Sequence, residues 1–103
     1  MISEIRKHVK EREYRFTSHA IERCIERDIP PDEVSEVILS GEIIEDYPHD
    51  KYGASCLIRG YTKKRRLLHV LCSKDPLWII TVYDPSLNQE EWDENFMKRR
   101  KKP

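Results

Sequence analysis

No stretch of this sequence stays apolar for the ~18–20 residues that a membrane span requires. Its opening run, MISEIRKHVKEREYRFTSHA, also lacks the apolar stretch of a signal peptide. A membrane protein and a secreted precursor are thereby set aside. Charge of one sign is missing too: 19 Lys and Arg balance 19 Asp and Glu, so no global basic field steers the chain toward nucleic acid, and any such surface has to be local. Cys24, Cys56 and Cys72 are odd in number and lack CxxC spacing. That excludes a disulfide framework and a zinc ribbon and predicts thiols that fill core space in a reducing cytoplasm. Asp46, His49 and Asp50 match no defined ligand spacing and read as a polar turn, so neither a metal nor another cofactor is expected. Apolar residues are also sparse, at 38 % against a typical ~45–50 %, so the core must be small.

What is present is 103 residues with 37 % charged side chains, a length suited to one domain over 1–103. Ile2, Ile5 and Val9 recur at intervals of three and four, which predicts an amphipathic helix over 2–13 with Ser3 as its cap. Tyr14 to Thr17 reads as a brief extended piece. Ser18 is placed to cap a helix over 18–28 whose apolar face carries Ala20, Ile21, Cys24 and Ile25. Ile29-Pro30-Pro31-Asp32 stops that helix, and Pro31 opens another over 31–40, with Val34, Val37 and Ile38 as its stripe and Gly41 at its end. The period then changes. Residues 43–47, 54–61, 67–73 and 77–83 are short, β-branched and aromatic, and the breaks PHDKYG, TKKRR and KDP are short enough for hairpins. The expectation is an α+β domain with N-terminal helices on one face of a four-stranded antiparallel meander. A polar C-terminal helix over 90–102 would dock Trp92 and Phe96 back on the body, and the basic tail, 97–103, would fray.

Two clusters can carry chemistry. On the second helix His19, Arg23 and Arg27 fall on one stripe beside the buried face. Like charges at i and i+4 repel unless an anion sits between them, and the first helical turn favours a neutral imidazole at His19. The plainer alternative is a solvated face neutralised by Glu22 and Glu26. On the sheet, an odd loop of residues 62–66 opposes Tyr61 to Leu67 and therefore Arg59 to His69. A loop over 74–76 would oppose His69 to Thr81, with Tyr83 further along the same face. Cys56, Ile58, Leu68, Val70, Trp78, Ile80 and Val82 take the opposite parity and should face the helices. Lys63, Lys64, Arg65 and Arg66 make the tip of the second hairpin basic, suited either to phosphate or simply to water.

SHAIERCIERDIPPDEVSEVILSGEIIEDYP, then a glycine-marked turn, CLIRGY, LLHVLCS, ITVYDP and a closing W-x3-F-x2-R (Trp92, Phe96, Arg99) resemble, in order and spacing, the DUF4258 family over about residues 15–100. The resemblance implies a fold like that of the RelE-like and barnase-like ribonuclease toxins, and a zinc-ribbon antitoxin as partner, seated over the Arg59 face. By the same resemblance the family's recurring polar positions fall on His19, Arg23, Arg27, Arg59, His69, Thr81 and Tyr83.

The expected activity is that of a toxin-type endoribonuclease, in which a ribose 2′-hydroxyl attacks the adjacent phosphate without a metal ion. Such cleavage needs a base, an acid and cationic donors. His69 is the first choice for acid or base and His19 the second, while Arg59 braces the phosphate, Thr81 orients it and Tyr83 stacks a base or donates a proton. Arg23, Arg27 and the basic tip would hold the RNA backbone. The rival expectation is a non-enzymatic protein-interaction module.

Overall fold

Thr17, rather than Ser18, starts the second helix: its hydroxyl accepts from the amide of Ala20 at 3.0 Å and donates to the carbonyl of Ile80 at 3.2 Å, so the cap also ties the helix to the sheet. The computed structural model describes residues 2–51 and 53–100, and the last three residues of the expected basic tail lie outside them. Three helices come first, α1 (Ile2–Lys10), α2 (Ser18–Glu26) and α3 (Pro31–Ser40). The first two end earlier than expected, with residues 11–12 forming a turn after α1 and Asp28 in the left-handed region after α2. Pro31 opens α3, where a missing N–H costs nothing. Among the described residues no helix is long and apolar enough to cross a membrane.

The meander follows as β2 (Glu42–Tyr47), β3 (Ser55–Tyr61), β4 (Leu67–Ser73) and β5 (Trp78–Tyr83), all antiparallel. The short extended piece before α2 is also a strand, β1 (Arg15–Phe16), which pairs in parallel with β5 and widens the sheet to the order β1-β5-β4-β3-β2. The helices cover one sheet face. Ile5 and Val9 of α1, Ala20 and Cys24 of α2, and Val34, Val37 and Ile38 of α3 are buried with Cys56, Ile58, Leu68, Val70, Cys72 and Val82. All three cysteines are free and buried, as core fillers should be, with Cys56 and Cys72 facing each other at 4.0 Å between their sulfurs. Ile21 and Ile25 depart from expectation: the apolar stripe of α2 is narrower than its composition suggests, and they stand 49 % and 76 % exposed.

Register decides which side chains share a face. Between β3 and β4 it is the expected one, with Arg59 opposite His69 and Tyr61 opposite Leu67. The odd loop closes because Thr62 N–H reaches the Arg66 carbonyl at 2.9 Å and Arg65 takes a left-handed φ of 65°. Between β4 and β5 the register differs. His69 lies opposite Tyr83, Leu71 opposite Thr81, and then Cys72 opposite Ile79, so a bulge at Ile80 shifts the strand. Past that point the faces exchange: Leu77 and Ile79 fill the core positions expected of Trp78 and Ile80, which are left half-buried.

Among the described residues, 90–100, no α-helix forms where one was expected over 90–102. Two short 3₁₀ turns over Pro85–Glu91, separated by a kink at Asn88 and started by Asp84 accepting from Ser86 N–H at 2.9 Å, lead instead into a tight turn across which Trp92 and Arg99 bridge. The Asp93 carboxylate takes the amide of Met97 at 2.9 Å, and Phe96 adopts a φ of 56°, so local side-chain bonding wins over the helical ladder. Trp92 docks as expected, at 1 % exposure.

Helix α3 meets the sheet backbone to backbone. A Cβ on Gly60 would lie 2.7 Å from the Val37 carbonyl oxygen, and one on Gly41 only 2.4 Å from that of Arg59. Gly60→Ala should therefore destabilise the fold by about 1–3 kcal/mol, the usual cost of overpacking. Urea unfolding checks it: the midpoint should fall with the slope unchanged, and an unaltered midpoint would show that α3 shifts freely.

Candidate functional site

The sheet face away from the helices carries Leu57, Arg59 and Tyr61 on β3, His69 and Leu71 on β4, and Thr81 and Tyr83 on β5, by the alternation that register imposes. The row Arg59, His69, Tyr83 therefore exists, with Tyr83 in the place expected of Thr81. Residues 92–99 lie across it. Trp92 packs edge-on against His69 at 4.5 Å between ring centres, the Asn95 carbonyl accepts from Arg59 Nε at 2.8 Å, and the Phe96 carbonyl meets His69 Nε2 at 2.8 Å. Arg99 stacks over Trp92 at 4.6 Å and grips Glu45 through Nε at 2.9 Å and through a terminal nitrogen at 3.2 Å.

His69 is fully buried beneath this segment. A carbonyl can only accept, so Nε2 carries the proton, and Nδ1 accepts from the Tyr83 hydroxyl at 3.2 Å. Burial is the main force lowering its pKa, to about 4; the Phe96 bond opposes the shift, and the nearby Arg59 and Arg99 charges add to it. The imidazole is thus neutral, with both nitrogens engaged. Arg59 is held in the same way, by Asn95 and at 3.9 Å by Glu42, with its guanidinium over the Tyr61 ring. Tyr83 is pushed up to about 12, chiefly by burial, and keeps its proton.

Open space lies beside the sealed pair. A cleft of about 410 Å³ is lined by Arg27, Tyr83, Asp84, Glu91 and Arg99. A second, of about 290 Å³, shares Tyr83 and Arg99 with it and adds Tyr47, Leu57, Leu71 and Thr81. Arg27 reaches this region from the end of α2 and is steadied by the Val82 carbonyl at 2.7 Å. The Glu45 carboxylate beside Arg99 is the chief cause that holds its guanidinium protonated, raising its pKa further.

The sequence-predicted residues therefore divide. Arg27, Thr81 and Tyr83 line the shared clefts, while Arg59 and His69 lie under the segment next to them. Arg23 is paired with Glu26 on its own helix. His19 is exposed and lines a different cleft, with Thr17, Ser73, Trp78 and Ile80. Of the basic tip, Lys63, Lys64 and Arg65 are exposed, whereas Arg66 is structural: it donates to the carbonyls of Asp28 at 2.9 Å and Arg27 at 3.2 Å, closing the end of α2, and meets Asp84 at 3.5 Å. Sequence reasoning missed Glu91 and Arg99 as site residues. Arg99 was visible in the W-x3-F-x2-R ending; nothing distinguished Glu91 from its acidic neighbours. Among the described residues no cluster of three or more His, Cys, Asp or Glu is placed to hold a metal ion.

A family model, DUF4258, described as a domain of unknown function, matches residues 16–84. The match takes in the strands that carry Arg59, His69 and Tyr83 and stops before Trp92 and Arg99. No curated protein and no solved structure matches the chain.

The buried imidazole makes stability depend on pH. An unfolded histidine titrates near 6.5, His69 at about 4, so below 6.5 the unfolded chain binds a proton that the folded one refuses. This contribution is complete above pH 6.5 and is lost as pH falls from 6.5 toward 4, by about 3 kcal/mol. Urea midpoints at pH 7 and pH 4.5 should show a smaller loss on acidification for His69→Gln than for the wild type. Equal losses would mean that His69 is not sealed from protons.

Proposed function

This chain belongs to the DUF4258 family, and from its site we propose that it is a metal-independent endoribonuclease of the toxin type, acting at the cleft between Arg27, Tyr83, Glu91 and Arg99. The observation that carries the reading is the convergence of two arginines from distant parts of the chain on one open cleft that also offers a free carboxylate and a tyrosine. Arg27 and Arg99 hold the scissile phosphate and take up the charge that gathers on its non-bridging oxygens. Glu91 removes the proton of the 2′-hydroxyl, whose oxygen attacks phosphorus; the 5′-oxygen leaves and is protonated from water at the cleft mouth. Burial keeps Tyr83 protonated and its bond to His69 aims it, so His69 and Arg59 act as positioning residues in this scheme. Thr81, in the adjoining cleft, orients the phosphate. Lys63, Lys64 and Arg65 add backbone contacts, reached by way of Asp84 and Arg66 at the cleft's edge.

One observation favours a second reading, a non-enzymatic interaction module. Ile21 and Ile25 stand exposed beside Phe16, Pro30 and Pro31 along a groove of about 600 Å³, the kind of apolar surface that binds protein partners. A zinc-ribbon protein of the antitoxin kind is the partner proposed for either reading. Because residues 92–99 already cover Arg59, such a partner would seat beside that segment or displace it.

RNA cleavage in EDTA, together with growth arrest on expression, separates the readings. Glu91→Gln should lower the rate by about 10²–10⁴ and Arg99→Ala by about 10²–10³, as expected for a general base and for a charge-stabilising donor. His69→Gln should cost mainly stability. Full activity in both Glu91→Gln and Arg99→Ala would remove the site, and loss of all cleavage in EDTA would remove the metal-free mechanism. Wild-type protein that neither arrests growth nor cuts RNA, yet co-purifies with the protein of the neighbouring reading frame, would establish the interaction module.

A further inference from the structure

The bulge at Ile80 has turned an indole outward. Without it Trp78 would share the parity of Val82 and sit in the core; with it Leu77 and Ile79 fill those positions, and Trp78 and Ile80 form the wall of a cleft of about 680 Å³. Bulges of this kind are enriched beside functional sites, where they re-aim a side chain. The cleft's other walls are Thr17 and His19, from the start of α2, and Ser73. Its hydroxyls are already committed to the fold. Thr17 accepts from Ala20 and donates to Ile80, while Ser73 donates to the Pro76 carbonyl at 2.6 Å and accepts from the Trp78 amide at 2.9 Å. Two polar groups remain, the indole N–H of Trp78 and the imidazole of His19, and neither has a hydrogen-bond partner among the described residues.

We propose that this cleft is a nucleobase subsite, in which an unpaired base of the RNA stacks on Trp78 and hydrogen-bonds through its edge to His19. The inference rests on the ribonuclease reading, whose strand it extends. An aliphatic ligand would leave the imidazole and the indole N–H unpaired, whereas a base offers both a π face and polar edges. Continuity supports the assignment. Trp78 and Ile80 line this cleft, Thr81 and Tyr83 the next, and Tyr83 the cleft of Arg27 and Arg99, so the three follow β5 in order. From Trp78 to Tyr83 the strand rises about 17 Å. The end lined by the indole and the imidazole suits a base and the arginine end a phosphate.

The test uses the whole chain with three probes: an uncleavable 2′-O-methyl hexanucleotide, an abasic strand with the same phosphates, and free adenosine. The base-bearing strand should bind the wild type about tenfold or more tightly than the abasic one, the usual worth of one base–aromatic stack. Trp78→Ala should abolish that difference, His19→Ala should reduce it, and Arg99→Ala should weaken both strands alike. Equal binding of the two strands by the wild type would overturn the subsite while leaving the phosphate site standing. If neither strand binds, the ribonuclease reading fails, and adenosine decides the cleft separately. Fluorescence quenching that saturates in the wild type and is absent in Trp78→Ala supports a base site, and no quenching overturns it. Should Trp78→Ala not fold, the exposed position 19 carries the test, and undiminished base preference in His19→Ala overturns the proposal.

Discussion

The two hydrogen bonds of one neutral imidazole organise the open face of the sheet. His69 gives its only proton to the Phe96 carbonyl and takes one from Tyr83, so a strand in the middle of the sheet, the strand beside it and the C-terminal segment are joined through a single ring. The two clefts that share Tyr83 and Arg99 lie beside that junction. It lays Trp92 over the ring, brings the Asn95 carbonyl to Arg59, and delivers Arg99 to Glu45 and to the space beside Tyr83. A charged ring would be an ion buried beside two guanidinium groups, which is why the proton is refused.

Much of this fold was legible because the chain is locally consistent. Helical stripes, the Pro31 start of α3 and the period-two strands each point to one answer, and the odd loop at 62–66 fixes the pairing of Arg59 with His69. What escaped was set by single residues in competition with the local pattern. The turn before β5 sets Cys72 opposite Ile79, one residue beyond what the 74–76 loop implies, and the Ile80 bulge adds another, so together they move Thr81 two places from His69 and change the face of Trp78. The apolar spacing of Trp92 and Phe96 suggests a helix over 90–102, but the Asp93 carboxylate captures a nearby amide first. The candidate site was half legible for the same reason. Its sheet residues follow from register, whereas Arg99 and the cover over His69 depend on how an irregular segment crosses a face that the pattern leaves open.

Arg99 has two roles that reinforce each other. Its fork on Glu45 fixes the plane of the guanidinium, and the indole beneath it supports the flat face, so the group is oriented before any ligand arrives. Among the described residues Arg27 is oriented by one backbone carbonyl, that of Val82. The two arginines therefore differ in preorganisation. On the proposed reading, an anion entering the cleft would meet one donor fixed on two sides and one held at a single point, and the second could follow the oxygens as the phosphate becomes five-coordinate.

The engagement of Arg66 limits how the basic hairpin can behave toward a polyanion. Its guanidinium is tied to two carbonyls at the end of α2 and to Asp84, so a strand passing the tip would meet three exposed cations, Lys63, Lys64 and Arg65. Each phosphate contact to a single strand releases condensed counterions and contributes about −0.7 to the slope of log affinity against log salt, so the tip supplies about −2 at most. On the proposed reading, an electrostatic hold of that size would let a bound strand exchange readily at ordinary ionic strength and would leave its placement to contacts along β5.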